Sequence, residues 1–296
     1  MLEFKDIELS DKEWINEALK KSDYMSCDHS FANYMIWKTM FKIKVCNVDG
    51  FFVAMVEDNG VKTFLCPAGE GDICKVLQKL IDYAKEANIP FLMSGIEPQA
   101  RLLLENKFAD IIEFIDDRKN YDYVYLTHTL ITLKGKKLHA KRNFINRFKE
   151  SNWSFEPITS KNKQECYLMS VKWCQQTNCN KSVSAKKECN VTKRALELFE
   201  ELGFDGGLLR VDGDIVAFSI GEPLNSQTYV VHIEKAFSEV VGAYPTINQE
   251  FLNHFASKYK YVNREEDLGF EGLRKAKLSY LPEILLPKFG AKLKNE

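Results

Sequence analysis

Charged and hydroxyl side chains concentrate between residues 261 and 280, where a predicted strand ends and a predicted helix follows. A carboxylate such as Glu265 can deprotonate an attacking amine, and Tyr280 can protonate a leaving group. The guanidinium of Arg264 suits a phosphate or a carboxylate. The segment therefore predicts a site for group transfer. Its expected members are Asn263, Arg264, Glu265, Asp267, Gly269, Arg274, Lys277, Ser279 and Tyr280, with Glu265 and Tyr280 as catalytic residues.

A purely structural interpretation of this segment stays open. Salt bridges among Arg264, Glu265 and Arg274 would explain much of the charge, and an acidic residue such as Asp267 can cap the helix. A glycine inside a helix costs roughly 1 kcal/mol relative to alanine. Gly269 therefore favours close packing or the approach of a ligand over a plain helical role.

A second group lies on the predicted strand 229–236. Alternation along a strand places His232 and Glu234 on one face, and Val231 and Ile233 on the other. Either polar residue can act as a general base for an amine or a hydroxyl nucleophile. A hydrogen-bonded histidine in the core is an equally good interpretation of His232.

The loop after this strand contains Gly242 and Ala243, directly before a predicted helix that carries Tyr244 and Asn248. Small residues at a helix start let backbone amides approach an anion, so the loop predicts a pyrophosphate or acceptor-anion site. No GxGxxG or Walker pattern accompanies it.

Residues 134–149 form the strongest local excess of positive charge, without any acidic residue. Such a segment suits a phosphate-bearing partner, and we expect it to contact the backbone of a tRNA. A solvated helix face is the alternative, because Leu138, Phe144, Ile145 and Phe148 supply a plausible buried stripe. The expected contacts are Lys137, His139, Lys141, Arg142, Asn143, Asn146 and Arg147.

The composition excludes several classes of protein. The 296 residues are 45% hydrophobic and 28% charged, and 41 basic against 42 acidic residues leave a net charge of −1. A disordered chain and a collagen are therefore excluded, and the chain as a whole has no positive field that would attract nucleic acid. Cys174 and Cys179 come nearest to a metal motif but lack its spacing, so we expect no metal. The absence of a signal peptide or membrane-length apolar run predicts a cytoplasmic protein.

The order of predicted elements indicates an internal duplication. Asp49-Gly50 joins two β-rich runs as a hairpin turn does, and Asp72 precedes apolar residues at helical spacing. An antiparallel meander followed by helix, strand, helix and strand occurs twice, and Tyr123-Val124 aligns with Tyr261-Val262. We expect an α/β (α+β) fold in two domains, 1–148 and 149–296, each with a mixed, mostly antiparallel sheet flanked by helices.

Two long motifs carry a resemblance to a known family. Residues 133–148 are Leu-Lys-Gly-Lys-Lys-Leu-His-x-Lys-Arg-Asn-x-Ile-Asn-x-Phe, and 263–280 are Asn-Arg-Glu-x-Asp-Leu-Gly-x-x-Gly-Leu-Arg-Lys-Ala-Lys-x-Ser-Tyr. Both resemble a bacterial family of unknown function that is grouped with the C-terminal domain of phosphatidylglycerol lysyltransferases. The resemblance implies two tandem GCN5-related N-acetyltransferase (GNAT) folds and kinship with peptidoglycan-bridge transferases that use aminoacyl-tRNA. It also implies a degenerate first domain and a donor pyrophosphate near Gly242.

The sequence thus predicts an acyl or aminoacyl transferase acting on an amine or hydroxyl acceptor. Coenzyme A or aminoacyl-tRNA is the expected co-substrate, with no tightly bound cofactor. Glu234 or Glu265 is the expected base, while Arg264, Arg274 and Lys277 would hold phosphate or carboxylate. The alternative is a non-catalytic module that binds a metabolite or a nucleotide. Neither the acceptor nor the oligomeric state follows from the sequence.

Overall fold

The computed structural model describes residues 2–176 and 183–294, which divide into two compact units. Unit 1 comprises Met1–Asp122, Glu266–Glu271 and Leu285–Glu296, and unit 2 comprises Tyr123–Glu265 and Gly272–Ile284. The division does not follow the predicted boundary at residue 148. The reason is packing: Tyr125, Leu130 and Ile145 share a buried cluster with residues of the second half.

Unit 1 is built on a seven-stranded sheet in the order β1-β2-β3-β4-β5-β14-β6, in which only β4 and β5 pair in parallel. Elements are numbered along the chain. The strands are β1 (Lys5–Asp6), β2 (Lys42–Val48), β3 (Phe51–Asp58), β4 (Val61–Leu65), β5 (Leu92–Ile96), β6 (Ile112–Asp116) and β14 (Phe289–Leu293), and the helices are α1 (Lys12–Ser22), α2 (Phe31–Trp37), α3 (Ile73–Glu86) and α4 (Pro98–Phe108).

Helix α3 shows how the sequence forms these elements. The side chain of Asp72 accepts hydrogen bonds from the amides of Cys74 and Lys75, which caps the helix start. Its apolar residues recur every three or four positions, and Leu77 and Leu80 are fully buried. The helix that the sequence predicts after Asp72 is confirmed, over Ile73–Glu86.

Unit 2 is built on a second seven-stranded sheet in the order β13-β7-β12-β11-β10-β9-β8. In it β11 and β12 pair in parallel, while β7 with β12 and the pairs along β11-β10-β9-β8 are antiparallel. The strands are β7 (Asp122–Leu126), β8 (Trp153–Pro157), β9 (Asp205–Val211), β10 (Asp214–Pro223), β11 (Thr228–Ala236), β12 (Tyr261–Asn263) and β13 (Ile284–Leu286). The helices are α5 (Thr127–Thr132), α6 (His139–Phe148), α7 (Lys163–Gln176), α8 (Val183–Glu197), α9 (Phe199–Leu202), α10 (Ala243–Phe251) and α11 (Glu271–Leu278), with a π-helical turn Leu252–Ala256 after α10.

The two sheets repeat one arrangement. Strands β11-β12-β7-β13 occupy the same order as β4-β5-β14-β6, so the duplication inferred from the sequence is present. Strand β7, from the first half of the chain, completes the second sheet, and β14, from the end of the chain, completes the first. Tyr123-Val124 is therefore a neighbour of Tyr261-Val262 in one sheet and not its counterpart, which corrects the sequence alignment.

Strand β11 contains a β-bulge at His232. Ile233 pairs with Ile220 and Val231 pairs with Gly221, so His232 is an extra residue between them. A bulge shifts the alternation of side chains beyond it. Glu234 consequently faces α10, whereas His232 lies against Phe204 beside α9. The predicted common face of His232 and Glu234 is wrong for this reason.

None of the helices in the described part of the chain has the length and apolarity needed to cross a membrane.

Candidate active site

Strands β11 and β12 run side by side as far as Asn263 and then lose their pairing. Beyond this point, consecutive residues of the β12 end reach back to β11. Arg264 pairs with Glu234, and Glu265 pairs with His232. The opening between the two strands thus collects four ionisable side chains, each of which the sequence places in a candidate site.

The ion pair between Arg264 and Glu234 is the centre of the site. The Nη2 atom of Arg264 donates to Oε1 of Glu234 at 2.7 Å, and Nδ2 of Asn248 donates to Oε2 at 2.8 Å. Both charged side chains are only 12% exposed. Burial acts to lower the pKa of Arg264, but the interactions with Glu234, Tyr125 and Tyr280 together outweigh it, and the pKa lies above its ordinary value.

Two more side chains of unit 2 surround Arg264. The ring of Tyr280 lies 4.8 Å from the guanidinium carbon, and the Nζ atom of Lys141 lies 4.1 Å from the same ring. Burial raises the pKa of Tyr280 to about 12, so its hydroxyl keeps its proton at neutral pH. Burial, and then repulsion by Arg264, lower the pKa of Lys141. Lys141 forms no ion pair with any residue that the structure describes.

Two buried polar atoms at this site have no hydrogen-bond partner within the described chain: Nη1 of Arg264 and Oδ1 of Asn248. A buried polar group left unsatisfied costs about 1–3 kcal/mol, so such groups call for an explanation. A carbonyl or anionic oxygen would satisfy the arginine, and an N–H or O–H donor would satisfy the amide. The geometry therefore suits a ligand that presents both kinds of group beside the Glu234 carboxylate.

His232 forms a second ion-paired group on the other face of the sheet. Its Nδ1 lies 2.9 Å from Oε1 of Glu265, and its Nε2 lies 3.0 Å from Oε1 of Glu222. Burial of the ring acts to lower its pKa, but the hydrogen bonds that it donates to both carboxylates raise the pKa of His232 to about 9. The imidazole is thus protonated at neutral pH, with both nitrogens donating. A protonated His232 holds Glu265 in place and is not available as a base.

The loop before α10 does not present an open cradle. A Cβ atom on Gly242 would lie 2.2 Å from the backbone oxygen of Phe144, so the glycine permits close contact with α6. The amide of Ala243 donates to the carbonyl of Val240. Burial raises the pKa of Tyr244, whose hydroxyl accepts a hydrogen bond from Trp173. The groups expected to receive a pyrophosphate here are occupied within unit 2.

The basic segment is a 3₁₀ turn at Lys136–Leu138 followed by α6. Its expected contact residues separate into three groups. Lys141 reaches the site at Tyr280, while Arg142 is held by the backbone oxygens of Leu133 and Gly135. The remaining members are exposed, Lys137 in the 3₁₀ turn and the others on α6: His139, Asn143, Asn146 and Arg147.

Helix α11 contributes Lys277 and the chain that leads to Tyr280. The Nζ atom of Lys277 donates to the backbone oxygen of Arg264 at 2.5 Å, so it positions the β12 end and does not point at a ligand. Asn263 is buried and accepts from the amide of Glu265. The hydroxyl of Ser279 donates to the backbone of its own helix, at Ala276.

Arg274 of α11 is partly buried. Asp267 and Gly269 belong to unit 1, where Asp267 accepts from the amide of Gly269. Helix α11 begins only at Glu271, so Asp267 does not cap it. Gly269 lies before the helix with a φ of +82°, which explains the glycine.

Unit 1 contains a separate polar cluster with the spacing of metal ligands: Cys27, Asp122 and Glu266. The Nζ atom of Lys288 lies 2.9 Å from Oδ1 of Asp122 and 3.2 Å from Oε2 of Glu266. The ammonium therefore stands where a cation would, and the attraction of these carboxylates raises the pKa of Lys288 against the opposing effect of burial. Of the cysteine pair weighed in the sequence, Cys179 lies outside the described residues.

Two residues of the site escape the sequence analysis. Glu222 reaches His232 only through the pairing of β10 with β11, and nothing near it in the sequence marks it. Tyr125 lies under Arg264 at 5.8 Å and donates its hydroxyl to the backbone of Lys277. Alternation in β7 indicates a buried tyrosine, which is a packing signal only.

Residues 20–292 match the family described as "Phosphatidylglycerol lysyltransferase, C-terminal". The chain belongs to this family. A protein of unknown function from Bacteroides thetaiotaomicron is 42% identical, with a TM-score of 0.95 over 99% of this chain and 100% of that one. The C-terminal domain (DUF2156) of a putative lysylphosphatidylglycerol synthetase from Agrobacterium fabrum is 16% identical, with a TM-score of 0.68 over 97% and 92%.

A tandem GNAT protein from the clavulanic acid biosynthesis pathway is 8% identical, with a TM-score of 0.50 over 100% of this chain and 99% of that one. An uncharacterized protein of Mycoplasmoides gallisepticum is 22% identical over 179 residues, which are 58% of this chain and just over half, 56%, of the relative. The resemblance drawn from the two motifs is thus confirmed, as is the α+β fold of two GNAT-like domains. The family is named for phosphatidylglycerol lysyltransferases.

Proposed function

We propose that the phosphatidylglycerol lysyltransferase C-terminal-like chain is an acyl or aminoacyl transferase whose active site lies where β11 and β12 separate. One observation carries the proposal. The buried Nη1 of Arg264 has no hydrogen-bond partner within the described chain, and Arg264 and Lys141 both lie against the ring of Tyr280, Lys141 without an ion pair to any described residue. The unsatisfied guanidinium donor of Arg264, with the second cation Lys141, fits an acyl carbonyl oxygen that gains negative charge during transfer.

The chemistry would run as a displacement at the acyl carbonyl. The acceptor amine attacks this carbon and forms the new C–N bond, and its proton passes to Glu234, 2.8 Å from Asn248 and 2.7 Å from Arg264. The bond to the leaving oxygen or sulfur then breaks, and the Tyr280 hydroxyl protonates that atom. Solvent returns the proton from Glu234 to Tyr280. The other candidate base, Glu265, is hydrogen-bonded to His232 and would take no part in the reaction.

The donor we favour is an aminoacyl-tRNA. Coenzyme A would need an anchor for its pyrophosphate. In the expected loop, the space beside Gly242 is filled by the backbone of α6. The segment 134–149 offers an alternative anchor for the phosphates of an RNA, because its exposed cations lie on α6, which carries Lys141, or in the turn that leads into it. The acceptor amine or hydroxyl would enter beside Asn248.

The test is a transfer assay with two labelled donors, bulk charged tRNA and acetyl-coenzyme A, in the presence of small-molecule and lipid extracts. We expect label to move from charged tRNA to an acceptor with the wild-type chain. Glu234→Gln and Tyr280→Phe should slow transfer by about 100-fold or more, in line with the loss of acid–base catalysis. The control is Glu201→Gln, an exposed carboxylate on α9, which should leave the rate unchanged.

Failure of folding is checked by circular dichroism, and Tyr280→Phe removes only one hydroxyl, so the ion pair stays intact in that variant. Equal rates for wild type and both site variants would contradict the proposal. If charged tRNA or a metabolite binds but no label moves, the chain is a non-catalytic binding module and the transferase proposal is wrong.

A further inference from the structure

Phe144 is an aromatic residue that unit 2 leaves in contact with solvent. It lies in the middle of α6 and is 45% exposed, whereas its neighbours Ile145 and Phe148 are buried. The close contact with Gly242 involves the backbone oxygen of Phe144 and leaves its ring outside the core. The expectation that Phe144 belongs to the buried stripe is therefore wrong.

Phe144 is part of a row along α6 in which basic and aromatic side chains alternate. Lys141, Phe144 and Arg147 are spaced three residues apart, which places successive side chains about 5–6 Å from each other on the helix surface. The row starts at the active site, where Lys141 lies against Tyr280. It then runs outward through the aromatic ring to the exposed Arg147. A nucleic acid likewise combines charged phosphates with aromatic bases along its chain.

The charge around this row is positive and uncompensated. Lys134, Lys136, Lys137 and Arg147 are exposed, and none forms an ion pair with a described residue. No acidic residue occurs from 134 to 149. Four cations without ion pairs, in the same segment as one exposed ring, fit a polyanion whose own rings can stack, because stacking on an aromatic side chain tolerates any base.

We propose that Phe144 is a stacking platform for a base at the single-stranded end of an RNA, with the flanking cations holding its phosphates. This rests on the proposed function, since the RNA would be the body of the aminoacyl donor. A membrane surface is the less favourable partner for this face. Apart from Ala140, the other exposed side chains of α6 are polar or basic, and one phenylalanine with one alanine offers little apolar area to a bilayer. The polar ones are His139, Asn143 and Asn146.

The experiment measures the affinity for a fluorescein-labelled single-stranded RNA of on the order of ten nucleotides by anisotropy at low salt. Phe144→Leu should weaken binding by about 5- to 100-fold, the range expected for one lost base stack. Phe144→Tyr keeps a ring and should bind as the wild type does. Phe270→Leu is the matched control, because Phe270 is a 55% exposed phenylalanine of unit 1, and its affinity should not change.

An equal affinity of wild type and Phe144→Leu, or an equal loss in the Phe270→Leu control, would overturn the platform. Binding to vesicles containing phosphatidylglycerol, but not to RNA, would also overturn it in favour of a membrane surface. The two proposals can fail separately. Phe144-dependent RNA binding without transfer of label rejects the transferase alone, whereas transfer with unchanged RNA affinity in Phe144→Leu rejects the platform alone.

Discussion

The protonated state of His232 gives unit 2 a stability that depends on pH in a defined direction. The imidazole lies between Glu222 and Glu265 with 1% of its side chain exposed, and its pKa is raised to about 9. The ordinary value is 6.5. Since folding favours the protonated form, the stabilisation is complete below pH 6.5 and is lost as the pH rises to about 9.

The size of this effect follows from the shift. Each unit of pKa corresponds to 1.36 kcal/mol, so a displacement from 6.5 to about 9 is worth about 3 kcal/mol. The variant His232→Gln keeps a hydrogen-bonding side chain but has no charge to lose. The advantage of the wild type over this variant in free energy of unfolding should be about 3 kcal/mol larger near pH 6 than near pH 9.5.

Two measurements check this prediction. The ¹³Cε1 resonances of the five histidines, followed by NMR against pH, should include one that titrates near pH 9 and disappears in His232→Gln. Urea denaturation of both proteins at the two pH values then gives the difference in free energy. A titration of His232 at or below 6.5, or a difference that does not change with pH, would refute the reasoning.

Two further substitutions test contacts elsewhere. Gly242→Ala places a Cβ against a backbone oxygen of α6 and should lower the free energy of unfolding by about 2 kcal/mol or more. Gly213→Ala is also at positive φ but in open space, and should lower it by about 1 kcal/mol. Chemical denaturation measures both values. Lys288→Met leaves the buried Asp122 carboxylate of unit 1 without its cation and should cost about 3–5 kcal/mol in a denaturation experiment. Lys292→Met breaks an exposed ion pair in the strand that follows, β14, and should cost under about 1 kcal/mol.

Local features of the fold follow from the sequence. The cap at Asp72 and the spacing of the apolar residues after it identify α3, and Asp49-Gly50 identifies the turn between β2 and β3. These signals are local because a cap or a two-residue turn depends on a few neighbouring side chains. The duplication also follows, since the same order of elements recurs.

The exchange of β7 and β14 between the two sheets could not be predicted from the sequence. Each is a short apolar strand, and nothing in Tyr123 or Phe289 specifies which sheet it joins. Partner choice depends on long-range packing, such as that of Tyr125 with the core of unit 2. The boundary at residue 148 fails for this reason, although the number of units is right.

The candidate site, like the fold, could be predicted from the sequence only in part. Arg264, Glu234 and Tyr280 are recognisable as residues that can do chemistry, and the structure brings all three together. Their pairing was not predictable, because a bulge at His232 decides which side chain of β11 faces which partner. Glu222 enters through the pairing of strands, and no local pattern reports that contact.

Native mass spectrometry of the purified chain tests the central claim most directly. The protein is mixed in turn with charged bulk tRNA, acetyl-coenzyme A and coenzyme A, alongside Arg264→Lys, which keeps the charge but cannot reproduce the paired geometry of the guanidinium. We predict that the wild type retains charged tRNA and that the variant loses it. If the folded wild type retains no acyl donor, or if Arg264→Lys retains it equally well, the donor does not bind at Arg264 and the assignment of the active site is wrong.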